Sequence, residues 1–192
     1  RKEACEDYEV SEDGLTYTFH LIENNYWSDG EQVTAHDYVY GMKRSIGMGA
    51  ADSYYSYFLA DYVLNAKAHN ENMSDVADMG DVGIVATDDF TIEITLESPC
   101  PYFVNLMTAG VFYPLREEFS PEHDSSWAND PTVPTNGAYQ TTKIDSADEI
   151  IMVKNEYFAH ADDVVTQTLV AKVMSDPDAQ LVAFQTGEID FA

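Results

Sequence analysis

Basic residues are scarce in this chain: nine Lys and Arg face 35 Asp and Glu, for a formal net charge of −26. A surface that negative repels phosphate backbones and anionic headgroups, which argues against nucleic-acid binding and direct membrane association. Cysteine is nearly absent. Cys5 and Cys100 are too few for a disulfide framework, and whether they pair stays open. No apolar run reaches the roughly 20 residues of a membrane-spanning helix. Also missing are a Gly-x-Ser-x-Gly elbow, a Gly-x-x-x-x-Gly-Lys phosphate loop, a His-Glu-x-x-His pair and a Cys-x-x-Cys motif. His20, His36, His69, His123 and His160 are scattered through mostly polar contexts. His36-Asp37 and His160-Ala-Asp162-Asp163 could each supply two metal ligands, and no larger cluster is visible. With so many acids, paired carboxylates arise by chance, so an acidic extracellular hydrolase has no specific support. No catalytic set is visible.

What the chain has in quantity is apolar and aromatic side chains. A content of 45% hydrophobic and 12% aromatic residues is ample for a packed core and argues against disorder. Thirteen Tyr against nine Phe and two Trp put many rings with one polar end at surfaces or clefts as well as in the core. A length of 192 residues fits one sizeable domain or two small ones. The acidic surplus reads first as a solvated surface that keeps an exported protein soluble, and second as a field that gathers cations. No leader peptide is visible at Arg1-Lys2-Glu3-Ala4, and the chain stops at Gly187-Glu-Ile-Asp-Phe-Ala192. The expectation is a piece of a longer protein.

The stretch from Tyr17 to Arg44 carries the most consistent local signals. Leu15, Tyr17, Phe19 and Leu21 alternate with polar residues, the pattern of a half-buried strand. Ser28-Asp29-Gly30 is turn chemistry, and Tyr26-Trp27 reads as a core plug rather than a sugar platform. Thr34 fits a helix N-cap with Asp37 at N3 and a Val33/Tyr38 staple. Ala35, Tyr38, Val39, Met42 and Ile46 then form one apolar stripe, with Lys43 and Arg44 in the last turn and Gly47 at the end.

Around this stretch, Tyr8–Val10 and Leu15–Leu21 predict a hairpin, as do Gly83–Ala86 with Phe90–Leu96, whose Phe90, Ile92, Ile94 and Leu96 face a core. Ser53 caps a predicted second helix to about Ala68, with Tyr55, Phe58, Leu59, Tyr62, Val63 and Ala66 as its stripe. Tyr54 and Tyr57 fall off that stripe; they face either a groove or a neighbouring loop. Residues 70–80 read as a polar loop, which lacks the glycine and terminal Glu of a calcium loop. A short helix from Pro101 to near Gly110 and a strand end at Phe112-Tyr113-Pro114 follow. Ser120–Pro134 is the candidate boundary, with prolines at 121, 131 and 134. Beyond it come a hairpin (Tyr139–Ile144, Ile150–Lys154), a strand (Thr168–Met174), a helix capped by Asp176 and a strand at Ile189–Phe191. That order predicts a βαβ-like unit with a parallel pair.

Several of these elements together resemble the oligopeptide- and dipeptide-binding family (family 5) of extracellular solute-binding proteins of ABC importers. The matching motifs, in order, are Leu15-Thr-Tyr-Thr-Phe-His-Leu21, Trp27-Ser-Asp-Gly-Glu31, Val33-Thr-Ala-His-Asp-Tyr-Val39 and Lys43-Arg44. They continue as Val85-Ala-Thr-Asp-Asp89 leading into Thr91–Leu96, Ser98-Pro-Cys-Pro-Tyr-Phe103, Pro134-Thr-Asn-Gly-Ala-Tyr139, Lys154-Asn-Glu-Tyr157 and Gly187-Glu-Ile-Asp190. The resemblance implies a mixed α+β and α/β chain, a fragment of a periplasmic-binding-protein type II-like fold. Residues 1–130 would be the family's accessory domain and 131–192 part of the first lobe, with the second lobe outside this piece. It implies capture of short peptides outside the cytoplasmic membrane and delivery to permease subunits, without cofactor or catalysis. Membrane contact would run only through a lipid anchor or the permease. Tyr54 resembles a family tyrosine that approaches the ligand cleft, although Ser53 stands where some relatives have proline and Tyr55 doubles the ring. Tyr57 is the second candidate ligand-binding residue. Asn136-Gly137 resembles an interdomain turn requiring positive φ. The same scaffold in relatives serves other ligands, so nickel, haem or an oligosaccharide is the alternative cargo.

Overall fold

The computed structural model describes residues 4–191, without the side chain of Ala51. Two antiparallel sheets organise it. The first has the order β1-β2-β4-β3, built from Cys5–Val10 (β1), Thr16–Leu21 (β2), Ile84–Asp88 (β3) and Thr91–Thr95 (β4). Tyr17 lies opposite Ile94 and Phe19 opposite Ile92, so the alternation expected from sequence builds one apolar face. Helix α1 (Ala35–Gly47) packs on that face and buries Ala35, Tyr38, Met42 and Ile46. Trp27, Val33, Leu59, Val63, Met79, Phe103 and Phe112 complete the same core. Full burial of a side chain such as Met42 or Leu59 contributes about 1.5–3 kcal/mol.

The start of α1 forms for the reasons its sequence gives. Thr34 and Asp37 close a capping box, in which the Asp37 carboxylate accepts the Thr34 N–H at 2.8 Å and its hydroxyl at 3.1 Å. The Trp27 indole also donates to this carboxylate. Burial still raises the Asp37 pKa above the ordinary value, against these hydrogen bonds and the nearby Arg116. Near the helix's middle, a Cβ on Gly41 would lie 2.4 Å from the Tyr113 carbonyl oxygen. Only glycine allows the 113–115 backbone so close, where Leu115 N–H reaches Asp37 O at 3.1 Å.

Arg44, in the last turn of α1 as its sequence predicts, does not face solvent. It is buried, and its guanidinium donates to the backbone carbonyls of Ser120, Pro121 and Asp124 while lying over Trp127 at 5.4 Å. Tyr40 adds a 2.7 Å bond to Ser120 O. The 120–127 segment is thereby tied to α1.

Four expectations fail. The helix foreseen from Ser53 to Ala68 is broken into a 3-10 turn (Tyr54–Ser56), one α-turn (Tyr57–Ala60) and helix α2 (Ala66–Asn72). Val63 bridges Leu96, Leu64 N–H bonds Thr95 O, and Asn65 adopts φ 61°, so sheet pairing takes the backbone groups a helix would use. Helix α2 also removes the first residues of the loop expected over 70–80. At Phe112–Pro114 a 3-10 turn (Gly110–Phe112) replaces the strand end.

The last failure concerns the second sheet, ordered β5-β6-β7 from Tyr139–Ile144 (β5), Glu149–Lys154 (β6) and Thr168–Lys172 (β7). All its pairings are antiparallel. Helix α3 (Pro177–Gln185) forms with Asp176 accepting the Asp178 N–H, as its sequence predicts. Among the described residues no strand follows it. Gly187 takes φ 75°, and the amides of Glu188 and Ile189 turn back onto Ala183 O, so they are spent on the helix end instead of a parallel ladder.

Cys5 and Cys100 are not joined by a disulfide. Among the described residues no helix is long and apolar enough to cross a membrane.

Candidate functional site

The broken second helix decides how its tyrosines are displayed. Because Leu59 and Ser56 point into the core, the preceding turn directs Tyr54, Tyr55 and Tyr57 outward, at 74%, 56% and 40% exposure. Tyr55, placed on the buried stripe by sequence, therefore joins the surface. Tyr54 meets Tyr55 edge-on at 5.1 Å between ring centres and Tyr57 edge-on at 6.2 Å. Tyr57 rests on Phe58 at 4.4 Å, and Tyr55 stacks over Phe58 at 6.1 Å. The two residues singled out by sequence thus share one patch, with Tyr55 as the member that sequence missed. Further along the chain, Tyr62 and Tyr102 form another edge-on pair at 6.2 Å.

Such a patch offers ring faces and hydroxyls to a ligand but no nucleophile or general base. None of its rings lines either of two cavities found among the described residues. One, of about 470 Å³, is apolar and sits where the first sheet and α1 meet the start of the second region; its wall includes Phe19, Met42, Phe112, Gly137 and Phe158. The other, of about 520 Å³, is polar and is walled by Tyr26, Glu156, Tyr157, His160 and Asp162 among others.

The junction between the sheets is held by backbone bonds. Ser28 N–H donates to Thr135 O at 2.7 Å, and Thr135 N–H donates to Ser28 Oγ at 3.2 Å. Gly30, at φ 90°, closes the Trp-Ser-Asp-Gly turn beneath the Tyr157 ring, which a Cβ there would approach to 3.3 Å. Buried Asn155 donates to Gly137 O at 2.9 Å and accepts the Tyr157 N–H at 3.0 Å. Neither Asn136 nor Gly137 has positive φ, contrary to the expectation for this pair. A Cβ on Gly137 would meet nothing within 4 Å, so the residue serves through its carbonyl.

The sequence-level metal candidates do not converge. His36 reaches Asp89 at 3.5 Å, whereas Asp37 turns inward to Thr34 and Trp27. His160, Asp162 and Asp163 all line the polar cavity, but among the described residues they are not part of a set of three whose ligand atoms come within 4.8 Å of one another. Asn70, the first position of the weak calcium-loop pattern, donates to Ile46 O and Ser56 Oγ instead. Among the described residues one set of three potential ligands does come together, Asp75, Glu122 and His123. Sequence could not reveal it, because Asp75 and the Glu122-His123 pair belong to separate segments.

The exposed aromatic patch thus sits on a helix-over-sheet scaffold that is tied to a second sheet through a hydrogen-bonded junction, and this arrangement is shared with solved solute-binding structures. The OppA of Haemophilus influenzae solved in complex with RPPGFSPFR superposes with a TM-score of 0.84 at 26% identity, over 97% of this chain and 36% of that one. The particular family follows from sequence: the chain belongs to the bacterial extracellular solute-binding proteins, family 5, whose "family 5 Middle" model matches residues 2–192. The dipeptide-binding protein DppE of Bacillus subtilis is 32% identical over 98% of this chain and 34% of its own length. The probable deoxycholate-binding periplasmic protein YgiS of Escherichia coli is 29% identical over 97% of this chain and 34% of its own length. The chain thus spans about a third of the length of the curated relatives it matches.

Proposed function

We propose that this chain is part of a solute-binding protein that captures short peptides outside the cytoplasmic membrane and hands them to the permease subunits of an ABC importer. In this reading residues 1–130 are the accessory domain and 131–192 belong to the first lobe of the parent. Tyr54 and Tyr57 are the ligand-binding residues that this piece contributes, with Tyr55 beside them. The observation that carries the assignment is the outward, edge-to-face arrangement of these rings on a turn whose other side is anchored by Leu59. Aromatic rings of this kind hold an extended peptide through apolar contact and hydroxyl bonds to its main chain, with little demand on side-chain identity. Capture and release need neither cofactor nor catalysis. The parent works in the periplasm or at the cell surface, and touches the membrane only through a lipid anchor or the permease.

The test is calorimetry on the full-length parent with a set of short peptides. Saturable binding that falls at least tenfold in Tyr54→Ala, and less in Tyr57→Ala, is the expected result. Unchanged peptide affinity in both variants would remove these residues from the site, and a parent that ignores peptides would remove the peptide assignment. A second cargo reading comes from the deoxycholate named for YgiS: a flat, apolar anion could lie on the same rings. Deoxycholate is therefore the competitor to include, and binding of it in place of peptides would replace the peptide reading.

A further inference from the structure

The cluster formed by Asp75, Glu122 and His123 shares no residue with the tyrosine patch. Its ligand atoms all lie within 4.8 Å of one another. His123 Nε2 and Asp75 Oδ1 stand 2.9 Å apart, and Glu122 Oε2 accepts the Val76 N–H at 2.8 Å, leaving its other oxygen for a further partner. The two contributing segments are also fixed independently of the cluster. Arg44 grips the carbonyls of Ser120, Pro121 and Asp124 on both sides of Glu122 and His123. Asp75 is held at the start of the 3-10 turn Val76–Asp78.

We propose that Asp75, Glu122 and His123 form a binding site for a divalent first-row transition-metal ion, which clips the 75–78 turn to the 120–124 segment. An ion of the zinc type stands about 2.0–2.2 Å from imidazole nitrogen and carboxylate oxygen, so its ligands can be up to roughly 4.4 Å apart. Small side-chain rotations bring this trio within that span. Two carboxylates neutralise the dication, and the imidazole selects zinc, nickel or cobalt over magnesium and calcium, which prefer all-oxygen sets. The ion takes the place of the hydrogen bond between His123 and Asp75, with water in the remaining positions. The chain's net charge of −26 raises the local cation concentration for any such site, so specificity must come from the imidazole.

The experiment titrates the chelator-stripped chain with zinc chloride by calorimetry, with magnesium chloride as the control, and follows thermal melts with each ion. One saturable zinc site per chain, with a raised melting midpoint and no matching effect of magnesium, is expected. His123→Asn keeps a residue that tolerates the left-handed backbone seen here at φ 58° while removing the imidazole. Glu122→Gln keeps an oxygen for the Val76 N–H and removes only charge. Each substitution should weaken zinc at least tenfold and leave the metal-free midpoint in place; if His123→Asn does not fold, Glu122→Gln alone decides. Absence of a saturable site, equal responses to zinc and magnesium, or wild-type zinc affinity in Glu122→Gln would overturn the proposal.

Discussion

The first and second sheets of this chain are made by the same rules of pairing and differ in what lies on their faces. In the first, β2 and β4 turn Tyr17, Phe19, Ile92 and Ile94 onto α1, and Leu59, Val63 and Phe103 close the space between. In the second, every residue of β5 and β6 stays partly exposed, and α3 buries only Ala183 while Leu181, Val182 and Phe184 remain about half exposed. Both sheets have antiparallel ladders with an occasional register shift, so pairing does not account for the contrast. A backbone hydrogen bond exchanges one partner for another with a small net gain, whereas burial of apolar area supplies most of the stability. The first region has the means to fold alone. The second depends on whatever covers its faces, which in the proposed function is the rest of the parent's lobe.

The widest gap should appear in paired truncations. Phe103→Ala empties a fully buried site and should cost about 3–5 kcal/mol, whereas Phe184→Ala, about half exposed in α3, should change stability by about 0.5 kcal/mol or less. Denaturant midpoints of the two variants measure this, and equal losses would mean that the second region has a core of its own. Next come two glycines. Gly41→Ala drives a Cβ into the Tyr113 carbonyl and should cost about 1–3 kcal/mol, while Gly137→Ala meets open space and should be near neutral. A neutral Gly41→Ala would show that the 113–115 segment yields freely. Asn155→Ala probes the buried polar residue of the second region, next to its junction with the first. Loss of its bonds to Gly137 O and Tyr157 N–H should cost about 1–3 kcal/mol and speed hydrogen exchange at Tyr157 while β2 and β4 stay protected. Loss of protection in β2 as well would join the two regions into one cooperative unit.

The contrast also explains what the sequence could reveal. Around α1 the cap, the stripe and the turn agree with the tertiary contacts, so strand, plug and helix were legible from Leu15 to Gly47. At Ser53–Ala68 the apolar spacing was helical, and its members Leu59, Val63 and Ala66 are buried as expected. The helix nonetheless breaks because Val63 and Leu64 pair with strand residues thirty positions onward, a contact absent from local pattern. The same break left Tyr54 and Tyr57 exposed, so the candidate site was legible as two residues off a stripe, while Tyr55 was hidden by its place on it. In the second region the strands and α3 were visible but their direction was not, because β propensity carries no sign of parallel or antiparallel pairing. Arg44 and the Asp75–Glu122–His123 cluster depend on chain segments that meet only in the fold.

The smallest effect separates the regions by the sign of a pH dependence. Asp37 in the first region has its pKa raised, chiefly by burial, whereas Glu188 in the second has its pKa lowered, chiefly by its hydrogen bond from Lys172. A raised carboxyl pKa means that the folded state holds the proton more tightly than the unfolded chain. The Asp37 contribution is therefore most favourable below the ordinary value of 3.8 and declines as pH rises through the higher folded value. For Glu188 the order reverses: its contribution is present above the ordinary value of 4.5 and is lost as pH falls through the lower folded value. Stability differences between wild type and Asp37→Asn, and between wild type and Glu188→Gln, measured across the acid range, should slope in opposite directions. The Glu188 slope should also flatten in high salt, because that pair is exposed and screened, while the Asp37 slope should persist because desolvation is insensitive to salt. If both profiles vanished in salt, Asp37 would be an exposed carboxylate like the others, and the buried cap that begins α1 would lose its physical basis.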